Sequence, residues 1–293
     1  MSKILVTGRN GQLASDLVSY LKRDLFHVIA LSKDELDISK SMEVSTVIST
    51  LGVHWVINCA AITNLDYAEL DEAKAYQVNS KGAENIAMAC RNARAGMIHI
   101  STDAVCSSDT PNYFKVKSPC NPISKYGFSK MKGEEAIRGA LDKHWILRSS
   151  WIYGLRGSRF FNSILSKAIS SKGIRVVEDQ FGQPTSTLMM YETIHRIISG
   201  ELETGTHHVV PVRYVSRFEF SLAINKAYKE VFNTDGGSQI DPILTHQTVG
   251  VAPRSPYSLL QPSQSALGIN SLNSDLVDEI KRIIKLRKQA GTL

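Results

Sequence analysis

The first half of the chain alternates between two hydrophobic periodicities. Short, nearly continuous apolar runs occur at Ile4-Leu5-Val6, His27–Leu31, Val53–Asn58, Met97–Ile100 and Trp145–Leu147. Each has the length of a strand, and apolar residues at consecutive positions imply burial on both faces. Between these runs the apolar residues return at helical spacing: Leu13, Leu17 and Leu21, then Val44 and Ile48, then Ile86 followed by Met88, Ala89 and Cys90. A longer helical stretch runs from about Ser124 to Leu141, just ahead of the last run. Strands alternating with amphipathic helices predict an α/β fold, a parallel sheet with helices on both faces.

After Trp151 the rhythm loosens. The spacing predicts helices near Phe160–Ser170 and Leu188–Ile198, short strands near Arg175–Val177 and His207–Val210, and an amphipathic closing helix from Leu272 to Leu286. Loops rich in Gly, Pro and Ser fall around Thr234–Ser238 and Val251–Gln264.

The turn after the first run reads Thr7-Gly8-Arg9-Asn10-Gly11-Gln12-Leu13-Ala14. Gly8 permits a tight turn, Gly11 lets the backbone approach a pyrophosphate, and the helix behind it offers free N–H groups to the anion. Ala14 replaces a third glycine and is still small enough for close helix–strand packing. The pattern is short, so its strand–turn–helix setting carries the weight. It predicts a nicotinamide dinucleotide held by Gly8, Asn10, Gly11, Gln12 and Leu13, in a doubly wound sheet of the Rossmann kind. Residues 1–155 then form the dinucleotide-binding domain. Residues 156–293 form a smaller substrate-binding lobe, with some segments returning to the first unit. The second run ends at Ser32-Lys33, where an acidic residue would grip a ribose hydroxyl. A hydroxyl and a cation suit a 2′-phosphate better, which favours NADPH over NADH. Asp34 and Glu35 lie close enough to leave both open, and Asp37 is counted with the cofactor residues.

Composition adds limits. A chain of 293 residues, 43% hydrophobic and 21% charged, has room for both units and does not read as disordered or fibrous. No apolar run approaches the ~18–20 residues of a membrane span. MSKILVTG lacks the layout of a signal peptide, so the expected location is the cytoplasm. Net charge is +6, but Lys and Arg are scattered rather than gathered in a stripe. Polyanionic small molecules are therefore expected partners, and nucleic acid is not. The four cysteines show no metal-like spacing and are expected as free thiols.

Tyr126 and Lys130 stand four residues apart in the long helical stretch, on one face. A phenol with a pKa of ~10 is a poor proton donor or acceptor partner near neutrality unless its anion is stabilised. A lysine cation beside it supplies that stabilisation. Thr102 follows the Met97–Ile100 run and should emerge at the carboxyl end of the sheet, where ligands bind in such folds. Its hydroxyl would polarise the carbonyl oxygen that Tyr126 protonates.

With these pieces in place, the sequence resembles the dTDP-4-dehydrorhamnose reductases, extended short-chain dehydrogenases that reduce C4 of a nucleoside-diphosphate 4-keto-6-deoxy sugar. The resemblance lies in GRNGQL at Gly8–Leu13, NCAAIT at Asn58–Thr63, Ser101-Thr102-Asp103, YGFSKMKGE at Tyr126–Glu134, RSSWIYG at Arg148–Gly154 and QFGQPT at Gln180–Thr185. It implies Tyr126 as general acid, Lys130 on the cofactor ribose and Thr102 on the reacting oxygen. It places Ala60, Ala61 and Thr63 along the cofactor, and Asp103, Ala104, Trp151 and Arg254 around the sugar nucleotide. The chain departs from the family at Ala104 and Cys106, where an aromatic pair is usual. It departs again at Tyr257 in the Arg254 segment and at Phe160-Phe161-Asn162. All of these face the substrate, which implies retained hydride chemistry on an altered sugar nucleotide. Two rivals share the fold: an epimerase or dehydratase that recycles its nicotinamide, and a cofactor-binding regulatory subunit. Some family members dimerise through a metal held by acidic residues. No clear set stands out here, so no metal is expected, and a homodimer stays an open expectation.

Overall fold

The structure, a computed structural model, describes residues 2–156, 158–170, 172–266 and 275–291. β1 (Lys3–Thr7), α1 (Gln12–Arg23), β2 (His27–Leu31), α2 (Ser41–Leu51) and β3 (Trp55–Asn58) open the chain. Short helices α3 (Leu65–Leu70) and α4 (Glu72–Tyr76) follow, and a π-helical turn (Gln77–Lys81) runs into α5 (Gly82–Ala93). β4 (Gly96–Thr102), α6 (Lys125–Ala140) and β5 (His144–Ser149) complete the regular half. Beyond it come β6 (Ile152–Tyr153), α7 (Arg159–Ser170), β7 (Ile174–Val177), β8 (Phe181–Gly182), β9 (Thr185–Ser186) and α8 (Thr187–Ile198). Last are β10 (Gly205–His208), β11 (Val215–Ser216), α9 (Arg217–Phe232), β12 (Ile240–Ile243) and α10 (Leu276–Gln289).

Six strands form one parallel sheet in the order β10-β5-β4-β3-β1-β2. The side-chain period of two sends Ile4 and Val6 to one face and Leu5 to the other. The first face packs on Leu13 and Leu17 of α1 and on Met189 and Ile194 of α8. The second packs on Val44 of α2, Ile86 of α5 and Ile137 of α6. β10 comes from beyond residue 156, yet it extends the sheet beside β5. A separate core of Tyr153, Phe161, Ile164, Phe220, Ile224 and Ile280 holds α7, α9 and α10 together.

Strand order reverses between β1 and β3, and the crevice outside their carboxyl ends is where ligands bind in open α/β sheets. No helix among the described residues is long and apolar enough to cross a membrane. The closing helix begins later than the spacing predicted, its Asp275 cap accepting from Val277 N at 2.8 Å. Positions 272–274 lie outside the described residues. α9 was not anticipated from the spacing. Ser216 and Glu219 cap each other reciprocally at its start, a local signature that was present in the sequence.

Candidate active site

β4 and α6 bring the reactive groups together. Thr102 ends β4, and its Oγ1 accepts from Ala104 N at 3.1 Å, capping a 3₁₀ turn over Asp103–Val105. Ser124 caps α6 by accepting from Gly127 N at 3.1 Å. Gly127 is pressed against the same turn: a Cβ there would stand 2.1 Å from the Ala104 carbonyl oxygen. Glycine alone allows that approach, and the approach sets Tyr126 beside Thr102. Tyr126 is buried, with the Thr102 hydroxyl close enough to pull on its phenol. Burial pushes its pKa up to about 12 against the pull of Thr102.

Lys130 lies one turn further along α6 and is also buried. Its position corrects one expectation. Nζ does not rest on the phenol; it meets His99 Nε2 at 3.0 Å and donates to the Ile100 carbonyl at 2.7 Å. These partners sit under β4, so burial and Thr102, rather than the lysine cation, govern the resting tyrosine. Tyr126 and Lys130 still line one cavity of about 340 Å³ with Gly11, Gln12, Leu13, Ala61 and Thr63.

The glycine turn forms the cavity's far wall. Gly8 has φ +73°, and a Cβ would lie 2.9 Å from Ala60 N and Cα, so the turn rests directly on the segment after β3. Gly11 starts α1 with no side-chain cap, which leaves the first N–H groups facing the crevice. A second cavity of about 410 Å³ continues from this turn past Asn10, Lys33, Asp37, Ala60 and Ala61. Ser32 does not reach it. Its backbone N–H donates to Glu35 Oε2 at 2.8 Å, and it lines none of the three cavities described here. Arg9 lies within the glycine turn. It holds Glu35 at 3.1 Å and projects a half-exposed guanidinium beside the end of β2.

On the other side of Tyr126, a third cavity of about 310 Å³ is lined by Thr63, Asp103, Ala104, Trp151 and Arg254. The Asp103 carboxylate is already engaged by Thr102, Ser150 and Ser258 hydroxyls at 3.0, 2.7 and 2.8 Å. It therefore ties the Arg254 segment to the sheet as well as facing the cavity. Trp151 has φ +44°, a strained conformation for a bulky residue, which turns its indole into the cleft. Arg254 is ion-paired with Asp66 at 3.3 Å.

Arg217, which the sequence did not single out, lies over the Trp151 ring at 3.7 Å from its centroid. Among the described residues its guanidinium has no hydrogen bond or ion pair. Burial pulls its pKa down to about 10, with Arg254 adding to the fall and Asp103 opposing it. The helix it begins could have been found from its capping box. Its place over Trp151 is set by the fold.

A family model described as the RmlD substrate binding domain matches residues 2–286. The chain belongs to the RmlD substrate-binding family. It is 34% identical to the spore coat polysaccharide biosynthesis protein SpsK of Bacillus subtilis (strain 168), over 89% of this chain and 89% of that one. It is 32% identical to a dTDP-4-dehydrorhamnose reductase of Mycolicibacterium smegmatis, over 90% of this chain and 79% of that one. The crystal structure of dTDP-4-dehydrorhamnose reductase from Bacillus anthracis str. Ames in complex with NADP superposes with a TM-score of 0.87 at 30% identity. That match covers 97% of this chain and 99% of the other.

The departures from the family pattern do not all face one cavity: Phe160 and Asn162 line a separate hollow beside Trp151 and Arg217, and Phe161 is buried in the core of α7, α9 and α10, which corrects the expectation for that segment. Ala104 and Cys106 line the third cavity. Tyr257 stacks on Phe181, with centroids 4.8 Å apart and planes 5° from parallel. Cys120 accepts from Arg148 Nη2 at 3.1 Å. All four cysteines are free thiols.

Proposed function

We propose that the chain transfers a hydride from NADPH to the C4 keto group of a nucleoside-diphosphate 4-keto-6-deoxy sugar. The observation that carries this reading is the convergence of Thr102, Tyr126 and Lys130 on a cavity whose opposite wall is the glycine turn. The residues present fit a dinucleotide. The Gly8–Ala60 approach leaves no room for a side chain where a pyrophosphate would lie, and the uncapped start of α1 offers N–H groups to it. When bound, the nicotinamide supplies the hydride.

The chain supplies the proton and the orientation. Tyr126 rests as a neutral phenol, the state needed to donate a proton to an oxygen that gains charge. Thr102 Oγ1 is placed to hydrogen-bond the same oxygen. Gly8, Asn10 and Gly11 hold the dinucleotide at the turn, and Lys130 lies where it orients the ribose. Lys33, in the lining of the second cavity, and Arg9, beside the end of β2, are the cations for a 2′-phosphate, which favours NADPH over NADH. The relative solved with NADP is consistent with that choice. Arg217 and Arg254 take the substrate diphosphate, a guanidinium being matched to phosphate oxygens, and Trp151 offers its face to the nucleotide. Small residues at Ala104 and Cys106 leave room for an altered sugar configuration or an added substituent.

A panel of nucleoside-diphosphate 4-keto-6-deoxy sugars, followed by loss of NADPH absorbance, tests the proposal. Turnover of at least one panel member with consumption of one NADPH per product supports it. Bound cofactor that is recycled without consumption overturns it in favour of an epimerase.

A further inference from the structure

Two cysteines meet at the neck of the segment 107–119, beside the third cavity. The chain leaves the 3₁₀ turn through Cys106 and comes back through Cys120. Asn121 N donates to the Val105 carbonyl at 3.0 Å, and the next residues outward from that bond are Cys106 and Cys120. The Asn121 side chain ties the neck again: Oδ1 accepts from Ser107 N at 3.0 Å, and Nδ2 donates to the Ser107 carbonyl at 2.6 Å. Opposed residues of an antiparallel pair stand about 4.5–5.5 Å apart at Cα. A disulfide bridges about 4.4–6.8 Å, so a bond between these two sulfurs asks little of the backbone. Cys106 shares a small core with Val105, Val210 and Leu260, and Cys120 packs against it. Each thiol is also the strongest influence on the ionisation of the other.

The two sulfurs differ in access and charge. Cys120 is partly exposed, whereas Cys106 is 1% exposed and lines the third cavity. Cys120 also accepts from Arg148 Nη2 at 3.1 Å. Cys106, then Arg148 and Arg138, pull the Cys120 thiol below its ordinary range, against burial and Glu134. The pairing and burial push Cys106 up. A thiolate is the attacking form, so Cys120 reacts first and Cys106 follows. The Arg148 guanidinium stabilises the reduced state, which makes a cross-link here easy to reduce again. Cys59 and Cys90 are inert by comparison, both pushed up to about 12 by burial.

We infer that Cys106 and Cys120 form a reversible dithiol–disulfide site that small-molecule disulfides oxidise, and that its closure reshapes the third cavity. The Cys120 thiolate attacks one sulfur of the small disulfide, whose S–S bond breaks and releases a thiolate. Cys106 then attacks the Cys120 sulfur of the mixed disulfide and expels the second thiolate. Each departing thiolate takes up one of the two protons that the cysteines give up. Two cysteines are oxidised, and one small disulfide is reduced to two thiols. Closure reaches the cavity because Cys106 N donates to the Asp103 carbonyl at 2.8 Å, at the end of the turn that carries Ala104. The glycine turn stands on the other side of Tyr126 and keeps its shape.

Two experiments test the inference. The reduced full chain is incubated with oxidised glutathione, quenched with an alkylating agent and mapped by peptide mass spectrometry. A Cys106–Cys120 linked peptide pair, reopened by reduced glutathione, is expected, with Cys59 and Cys90 alkylated throughout. Glutathione held on Cys120 without closure, or both thiols left alkylated, overturns the inference. In Cys106→Ser the mixed disulfide on Cys120 should accumulate; should that chain not fold, the map of the unaltered protein decides alone. The second arm rests on the proposed ketoreductase activity, and the first does not, so failure of the two readings is distinguishable. Oxidation should raise KM for the sugar nucleotide about tenfold, the worth of one polar contact, and leave the NADPH Kd unchanged. Reduction should restore that KM, and Cys120→Ser should make it insensitive to oxidised glutathione. A cross-linked chain with an unmoved KM contradicts the link to the cavity.

Discussion

The two ends of the cleft are built from different materials. At the end proposed for the cofactor the wall is mostly main chain: Gly8 and Gly11 on one side, Ala60 and Ala61 on the other, set by the register of β1 against β3. At the end proposed for the substrate the wall is side chains: Arg217, Arg254 and Trp151, carried by a helix start, a loop and a strained residue next to a two-residue strand. A main-chain wall recognises by shape and is spoiled by adding atoms. A side-chain wall recognises by charge and contact and is spoiled by removing them. Tyr126, Thr102 and Lys130 stand where the two meet.

That contrast can be broken at the junction first. Tyr126→Phe removes the proton donor and little volume, so kcat should fall by about a hundred- to ten-thousand-fold while NADPH binding, measured by calorimetry, is kept. The scaffold behind the junction comes next. Glu134 and Arg148 form a fully buried pair at 2.7 Å. Glu134→Leu leaves the guanidinium uncompensated and should lower unfolding stability by about 3–5 kcal/mol in a denaturant titration. Burial opposes the Glu134 charge, yet Arg148 outweighs burial and holds its carboxyl below the usual range. The stability it contributes is therefore present above the ordinary carboxylate pKa and lost as pH falls through the depressed value.

Two paired variants sharpen the comparison. Gly8→Ala adds a methyl at a positive φ and against Ala60. Strain of about 1–3 kcal/mol should weaken NADPH binding roughly ten- to a hundredfold, with little change in KM for the sugar nucleotide at saturating NADPH. Arg217→Leu does the reverse. Loss of a charge-assisted contact should raise that KM about tenfold or more and leave the NADPH Kd unchanged. The smallest effect is expected at Arg9→Ala, which should reduce the preference for NADPH over NADH several-fold in competition assays. Equal preference shifts from Arg9 and Arg217 would erase the distinction between the two ends.

The same division decides what could be read in advance. β2 spans His27–Leu31 as its apolar run did, and α6 differs from the Ser124–Leu141 stretch by one residue at each end. Such elements are legible because burial on a regular lattice forces a period. Thr102, Tyr126 and Lys130 were legible because each sits at a fixed place on one of those elements. α9 escaped because its apolar residues point both ways: Phe220 and Ile224 are buried, while Leu222 is 44% exposed. Arg217 escaped for another reason. A guanidinium acquires its role from the indole it lies over, and the two are joined only by the fold.

Under the proposed function, hydride passes from NADPH to a sugar carbon held against Tyr126. A single-turnover reaction with NADPH deuterated at the transferring position, followed by NMR of the product, tests it most directly. Deuterium bound at C4 of the sugar, lost in Tyr126→Phe, is the predicted result. A product without deuterium, or a C4 hydrogen drawn from solvent, would contradict it.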